Sequence, residues 1–244
     1  MTAIYCPQGR RKIVASNPVS RKRKAPEQVN GDTADRILDA AERLFAERGY
    51  SAVSTRTITE AAGVNTAALH YHFGSKEAVL DAVFKRRLSS INRKREDLLD
   101  ACDTPGLDAG RIEEIITAFI GPTLELGGTE GERNFKLLAG RASTDPNPEV
   151  KAVLFDVYDS VARHFLDVLG KARPDISRRE LFWRVACVYG AMMYIRADNG
   201  RLRHIFGEDF SLANTEEAFR YAIPFLTAGM NMPAVDANND ATSS

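Results

Sequence analysis

Apolar positions along this chain recur at helical spacing. Ile37, Leu38, Ala41, Leu44 and Phe45 follow the i, i+3, i+4, i+7 rule of one helical face. They predict a first helix that starts at Asp32, capped by Asp32 or Thr33, and ends at Gly49, a residue that tolerates the left-handed position after a helix. Ser54 is the expected N-cap of a short second helix with Ile58, Ala61 and Ala62 on its apolar side, and Gly63 ends it. Asn65 caps a third helix running to about His72; Gly74 ends that one, and Ser75 caps a long fourth. Val79, Leu80, Val83, Phe84, Leu88 and Ile91 hold one face of the fourth helix, and Leu98 extends it.

After the break CDTPG (102–106), helical segments are expected near 109–126 and 132–142. The GGTEG between them lacks the Lys-Ser/Thr of a phosphate-binding loop and reads as a turn. DPNP (145–148) opens a long helix through Phe155, Tyr158, Ala162, Phe165 and Leu169. SRRE (177–180) and NTEE (214–217) read as capping boxes. Leu181, Val185, Val188, Met192 and Ile195 recur every three or four residues, a seam for helix packing. Ala218, Ala222, Phe225 and Gly229 repeat the pattern on a last helix that Pro224 is expected to kink. The two seams predict a homodimer in which two helices from each protomer meet; an intramolecular core is the plain alternative. No stretch alternates with a strand period, so the expected fold class is all-α.

Composition narrows the classes. In 244 residues, 44% hydrophobic content supplies a core, 27% charge is ordinary for a globular chain, and formal net charge is zero. Residues 1–100 hold 18 Lys/Arg against 12 Asp/Glu, and the whole excess lies before Gly31; residues 31–100 balance at 11 against 11. Nucleic-acid contact there must rest on placement rather than bulk charge. Residues 1–31 read as a disordered basic arm whose RKRK (21–24) is a nuclear signal, a phosphate-tracking segment or a solvated tail, and residues 231–244 as a disordered tail. Cys6, Cys102 and Cys187 form neither a disulfide framework nor a zinc pattern and are expected to be reduced, with redox sensing at Cys102 or Cys187 the alternative. The start has no apolar signal region, and the longest apolar run, VACVYGAMMYI (185–195), falls short of the ~20 residues that span a bilayer. The expected location is cytoplasmic, with no membrane partner, no metal and no cofactor.

Two short helices joined by a glycine turn and braced by a preceding helix outline a helix-turn-helix. The run ILDAAERLFAERGY…STRTITEAAGVNTAALHYHFGSKEAVL closely resembles the DNA-binding head of the TetR family of bacterial transcriptional regulators, most specifically from Ala61 through Lys76 and Glu77. The resemblance implies a head over 32–92, a helical effector-binding and dimerisation domain over 93–230, and a recognition helix, Asn65 to His72, lying in the major groove. The expected DNA-binding residues are Ser54, Arg56, Asn65, Thr66, Ala67, His70, Tyr71, His72 and Lys76. Thr66 and Ala67 are small enough to let the helix approach base edges, and Arg56 suits guanine or a phosphate.

Successive helical residues turn by about 100°, so His70 and His72 diverge by about 200° and cannot share a metal. Leu69 and Phe73 share the core side, which leaves His70, Tyr71 and His72 to donate to phosphate oxygens. Lys76 lies in the first turn of the next helix, where free N–H groups favour phosphate, and the resemblance implies backbone contact there. The family most often has tyrosine where this chain has His70; an imidazole with an ordinary pKa of about 6.5 would make that contact pH-dependent.

In the back half, LLAGRASTDPNPEV loosely resembles the CecR-like subgroup. An effector pocket is expected from Phe119, Phe135, Phe155, Tyr158, His164, Phe165, Trp183 and Met193. The expected function is a homodimeric, ligand-responsive regulator, a repressor, on a pseudo-palindromic double-stranded operator, associated with the nucleoid when bound. Its small-molecule effector is unidentified. The alternative is a less specific or architectural DNA-binding protein that uses the basic arm. No enzyme is expected, because no convergent nucleophile, acid–base pair or metal cluster stands out and His164 and His204 lack recognisable partners.

Overall fold

A computed structural model describes residues 26–235, and every regular element among them is helical. The first four are α1 (Pro26–Arg48), α2 (Thr55–Ala62), α3 (Thr66–His72) and α4 (Lys76–Cys102). A 3₁₀ turn at Ala109–Arg111 leads into α5 (Ile112–Leu124), followed by α6 (Glu130–Ala142), α7 (Pro148–Ala172), α8 (Arg178–Ala197) and α9 (Arg201–Phe206). The chain closes with α10 (Thr215–Glu217), a π-helical turn (Ala218–Ala222) and α11 (Ile223–Asn231). Among the described residues no helix is long and apolar enough to cross a membrane.

Start and stop signals act as their chemistry dictates. Ser54, Asn65 and Ser75 each accept a backbone N–H from the third residue on, and Gly63 closes α2 in the left-handed region at φ +62°. The start of α1 departs from expectation. The helix runs back to Pro26, whose missing N–H costs nothing in a first turn, so Asp32 and Thr33 lie inside it. Of the expected basic arm, residues 26–31 thus belong to α1; residues 1–25, with RKRK and Cys6, and residues 236–244 lie outside the described residues.

Other local signals resolve differently from their pattern. A reciprocal capping box forms at Thr129 and Glu132, where α6 begins. At SRRE only half of one forms: Ser177 accepts from the Glu180 N–H, while the Glu180 carboxylate turns to Arg184. Asn214 likewise accepts from the Glu217 N–H. Pro224, which has no N–H for the preceding turn, sits just after a widened π turn at the start of α11.

Two apolar clusters result. The first joins α1, α2, α3 and the front of α4 around Ile37, Phe45, Ile58, Leu69 and Phe84, and α6 and the start of α7 close it with Phe135, Leu138 and Val150. The second lies among the back of α4, α5, α7, α8 and α11 around Leu99, Phe119, Phe165, Val188 and Leu226. α4 runs through both, and α6 packs on α1 and on α8. Contact between α6 and α8 is close: a Cβ at Gly140 would fall 2.7 Å from the Ala197 Cα.

The seam read on α8 therefore serves this interior. Val185, Val188, Met192 and Ile195 are buried in the second cluster, and Leu181, Ala218 and Ala222 pack against it. Val185, Val188, Met192 and Ile195 thus spend their side chains on the interior of one chain, while Leu181, Ala218 and Ala222 are half-buried and keep some surface. Of the eight residues expected at a dimer interface, Phe225 alone is exposed.

α1 is clamped to α4 by a buried carboxylate. Glu42, 2% exposed, takes the Arg86 guanidinium at 2.8 Å and Arg87 Nη2 at 2.8 Å. Removing one side of a buried pair strands the other, so Glu42→Ala is expected to lower unfolding free energy by about 3–5 kcal/mol, read from urea denaturation. Arg43→Ala, which loses only an exposed pair with Glu47 at 3.6 Å, is expected to change it by less than about 1 kcal/mol.

Candidate nucleic-acid interface

The turn between α2 and α3 is held from three sides. Val64 N–H donates to the Thr59 carbonyl at 3.0 Å, tying the end of α2 to its own last turn. Thr59 Oγ1 lies 3.4 Å from Thr66 Oγ1, bridging the two helices. Arg36 reaches from α1 to the Ala62 and Gly63 carbonyls, the latter at 2.9 Å, a cation where the α2 carbonyls are unpaired. Sequence reasoning passed over Arg36; its polar place beside the apolar positions Ile37 and Leu38 was the only signal.

α3 is oriented by its core side. Leu69 is fully buried and Phe73 packs half-buried on the same cluster. Thr66, Ala67, His70 and Tyr71 are exposed on the opposite side, with Tyr71 78% exposed. Ser54, Arg56 and Asn65 are exposed as well, and His72 is half-buried, with Tyr71 edge-on to it at 5.2 Å between ring centres. Eight of the nine expected residues thus line the outer side of α2 and α3. Ser54 and Asn65 keep a hydrogen bond within their caps, and Arg56 pairs with Glu60 at 2.8 Å.

Two of the expected clamp residues have internal duties. His70 Nδ1 lies 2.8 Å from the Gly74 carbonyl oxygen, which makes it a donor and leaves Nε2 to face outward. Lys76 does not extend into solvent. Its Nζ donates to the Tyr50 and Val53 carbonyls at 3.1 and 3.0 Å and stands 4.0 Å from the centre of the Tyr50 ring. The ammonium braces the loop between α1 and α2 against the first turn of α4, and that loop ends at the Ser54 cap. The Tyr50 hydroxyl, in turn, donates to the Glu149 carboxylate on α7; burial first, then this acceptor, holds the phenol far above its ordinary pKa.

The eight residues expected to line an effector pocket do not share one cavity. Phe135 lies in the first cluster, edge-on to Phe84. Tyr158 packs half-buried against that same first cluster, whereas Phe119 and Phe165 stack at 4.0 Å in the second, with Met193 half-buried against it. Phe155 and Trp183 are exposed. His164 has partners that the sequence did not reveal: its Nδ1 bonds Glu96 across α4 and α7, and its Nε2 lies 3.5 Å from Asp100. That periodicity separates apolar from polar faces but not one apolar cluster from another accounts for the scatter. Cys102 is buried, which raises its thiol pKa, and Cys187 is exposed on α8.

Comparison with known proteins agrees with this geometry. Residues 37–83 match the family described as bacterial regulatory proteins, tetR family, and residues 117–229 match the tetracyclin repressor-like C-terminal domain. An uncharacterised HTH-type transcriptional regulator of Mycobacterium tuberculosis is 28% identical over 185 residues, covering 72% of this chain and 82% of that one. The HTH-type transcriptional repressor KstR2 of Rhodococcus jostii is 35% identical over 82 residues, 33% of this chain and 38% of that one. The fatty acid degradation regulator FadR from Bacillus halodurans shares the fold, with a TM-score of 0.58 at 19% identity over 86% of this chain and 99% of that one. The chain belongs to the TetR family and is a DNA-binding transcriptional regulator.

Proposed function

We propose that the protein is a homodimeric, ligand-responsive repressor that reads a pseudo-palindromic operator with the outer side of α3. The observation that carries this reading is the division of α3. Leu69 anchors it in the core, while Thr66, Ala67, His70 and Tyr71 stand exposed together. Thr66 and Ala67 are placed for base edges, and Tyr71, His70 and Arg56 for phosphates. Lys76 acts one step back, by bracing the loop that leads into α2. The reading includes no catalytic step and places the protein in the cytoplasm, on the nucleoid when bound.

A second protomer is offered a different surface from the buried seam. Phe182, Trp183 and Tyr194 of α8 are exposed, and so are Tyr221 and Phe225 near the end of the chain, the last 75% exposed. Trp183, Cys187, Phe225, Gly229 and Met232 line an apolar groove of about 590 Å³ between α8 and α11. An exposed apolar patch rimmed by polar residues marks an association surface. In a family of two-fold dimers its neighbour is the same face of another copy. Two recognition helices would then lie about 34 Å apart, one helical turn of DNA.

The operator is obtained by selecting bound genomic fragments with purified protein. On the recovered sequence, Tyr71→Ala is expected to weaken binding by about tenfold or more at unchanged thermal stability, measured by fluorescence anisotropy. Lys76→Met is expected to lower thermal stability and operator affinity together, since it releases two carbonyls and the loop they hold. If Tyr71→Ala binds the operator like wild type, the assignment of α3 to the groove is wrong.

The double variant Trp183→Glu, Phe225→Glu is expected to sediment as a folded monomer at micromolar concentration. It should lose operator affinity by about a hundredfold or more, because one half-site remains in place of two. A stable dimer in that variant would move the interface elsewhere.

A further inference from the structure

The run LLAGRASTDPNPEV (137–150) spans the corner between α6 and α7 and holds the head at two points. Arg141, in the last turn of α6, donates through Nη1 to the Glu47 carbonyl at 2.9 Å, where α1 ends. Glu149, in the first turn of α7, accepts from the Tyr50 hydroxyl at 2.5 Å. The two held positions, 47 and 50, flank Gly49, whose φ of +79° turns the chain out of α1.

The corner itself is stiff. Pro146 and Pro148 fix φ at two of its positions. Asp145 Oδ1 accepts from the Asn147 N–H at 2.9 Å, and Asn147 Oδ1 accepts from the Glu149 N–H at 2.8 Å. Asn147 is thereby the N-cap of α7, with Pro148 at the first helical position. Val150, next to Glu149, is buried in the first core and anchors the helix start there. The Glu149 carboxylate is therefore presented to Tyr50 from a fixed base.

Tyr50 carries the hold inward. It is buried, with its ring 5.4 Å from Phe45 and 4.0 Å from the Lys76 ammonium. The same ammonium donates to the Tyr50 and Val53 carbonyls, and the Val53 N–H donates to the Tyr50 carbonyl at 3.2 Å. Val53 is buried, and Ser54, the next residue, caps α2. Tyr50 thus fixes the loop that sets where α2 begins, and α2 sets α3 through the contact of Thr59 with Thr66. A phenylalanine would fill the same space; the hydroxyl adds the tie to α7. Burial first and the Glu149 acceptor second hold the phenol above its ordinary pKa, so it stays a donor through neutral pH.

We propose that Glu149 is a positioning residue for operator binding. From the back half of the chain, through its bond to Tyr50, it holds the loop between α1 and α2, and so the exposed side of α3, in the orientation that meets DNA. Arg141 is the second point of the same hold. This rests on the assignment of α3 to the groove and adds a residue outside the head to it. The sign of the effect separates it from charge alone. Removing an acid from a DNA-binding chain strengthens phosphate attraction; removing the tie weakens binding.

The test is operator affinity of the full chain, by fluorescence anisotropy on the sequence recovered by genomic selection, at a temperature where every variant is folded. Glu149→Ala is expected to weaken binding about three- to tenfold, the size of one lost hydrogen bond. Glu149→Gln removes the same charge but keeps an acceptor oxygen, and should bind like wild type or more tightly. Tyr50→Phe should weaken binding as Glu149→Ala does, and the two together no further, because they break one contact. Val168→Ala, which loosens the second core, should lower the Tm and leave affinity as it was. A further readout needs no DNA: amide hydrogen exchange over residues 51–57 should quicken in Glu149→Ala and not in Glu149→Gln. Wild-type affinity in Glu149→Ala, an equal loss in Glu149→Gln, additive losses in the double variant, or unchanged exchange overturns the proposal. Affinity that falls with the Tm in Val168→Ala overturns it too. Normal binding by Tyr71→Ala together with weakened binding by Glu149→Ala sinks the groove assignment instead, and leaves the hold on the loop standing.

Discussion

A helix of seven residues is not stable in water, because nucleation costs more than its few hydrogen bonds return. α3 exists because Leu69 is driven out of solvent into the first core, a burial worth about 1.5–3 kcal/mol. Asn65 fixes its start, and Gly63 turns the chain so that its far side faces outward. Everything said of DNA contact depends on that anchor. The exposed groups of α3 have a defined direction only while Leu69 and Phe73 stay seated against α1 and α4. The Glu42 clamp, the Arg36 contacts and the Lys76 brace all act on those two supporting helices or on the turns between them.

Local chemistry made the head legible. Ser54, Asn65, Ser75 and Gly63 act through their own nearest backbone, so each cap and turn can be read from a few adjacent letters. Long-range partners could not be read that way. Lys76 looked like a free cation in a helix's first turn, and only the fold brings the Tyr50 and Val53 carbonyls to it. The α8 seam is apolar as read and much of it lies in the chain's own second core, since a period of three and four marks a buried face without saying whose core buries it. The groove lined by Trp183 and Phe225 escaped notice because its aromatics lie on the adjacent face of an all-round apolar helix.

Arg95 and Arg196 left a signal that went unused. On α4, Leu88, Ile91, Arg95 and Leu99 keep the apolar spacing, with an arginine where a leucine would fit. On α8, Val188, Met192 and Ile195 do the same up to Arg196. A charge in register with a buried stripe must snorkel, find a partner or cost stability. Neither arginine snorkels, because both are buried, and neither is paired with a carboxylate among the described residues.

How a displacement in the second core would reach the operator follows from what α6 touches. Ala197 follows Arg196 directly, and Gly140 meets it with no room for a methyl group, so a shift of the α8 end carries α6 along. α6 packs against α1, and its Arg141 donates to the Glu47 carbonyl at the end of α1 at 2.9 Å. Three residues on, Tyr50 is held by Glu149 from one side and by Lys76 from the other, and the loop it begins ends at the Ser54 cap of α2. Weakening operator binding by the usual 5- to 150-fold takes about 1–3 kcal/mol of coupling. One or two hydrogen bonds along this path differ by that much between made and broken. The coupling therefore requires no unfolding and no large hinge: a ligand that prefers a slightly displaced α8 needs only to trade the Arg141 or Tyr50 contact for water.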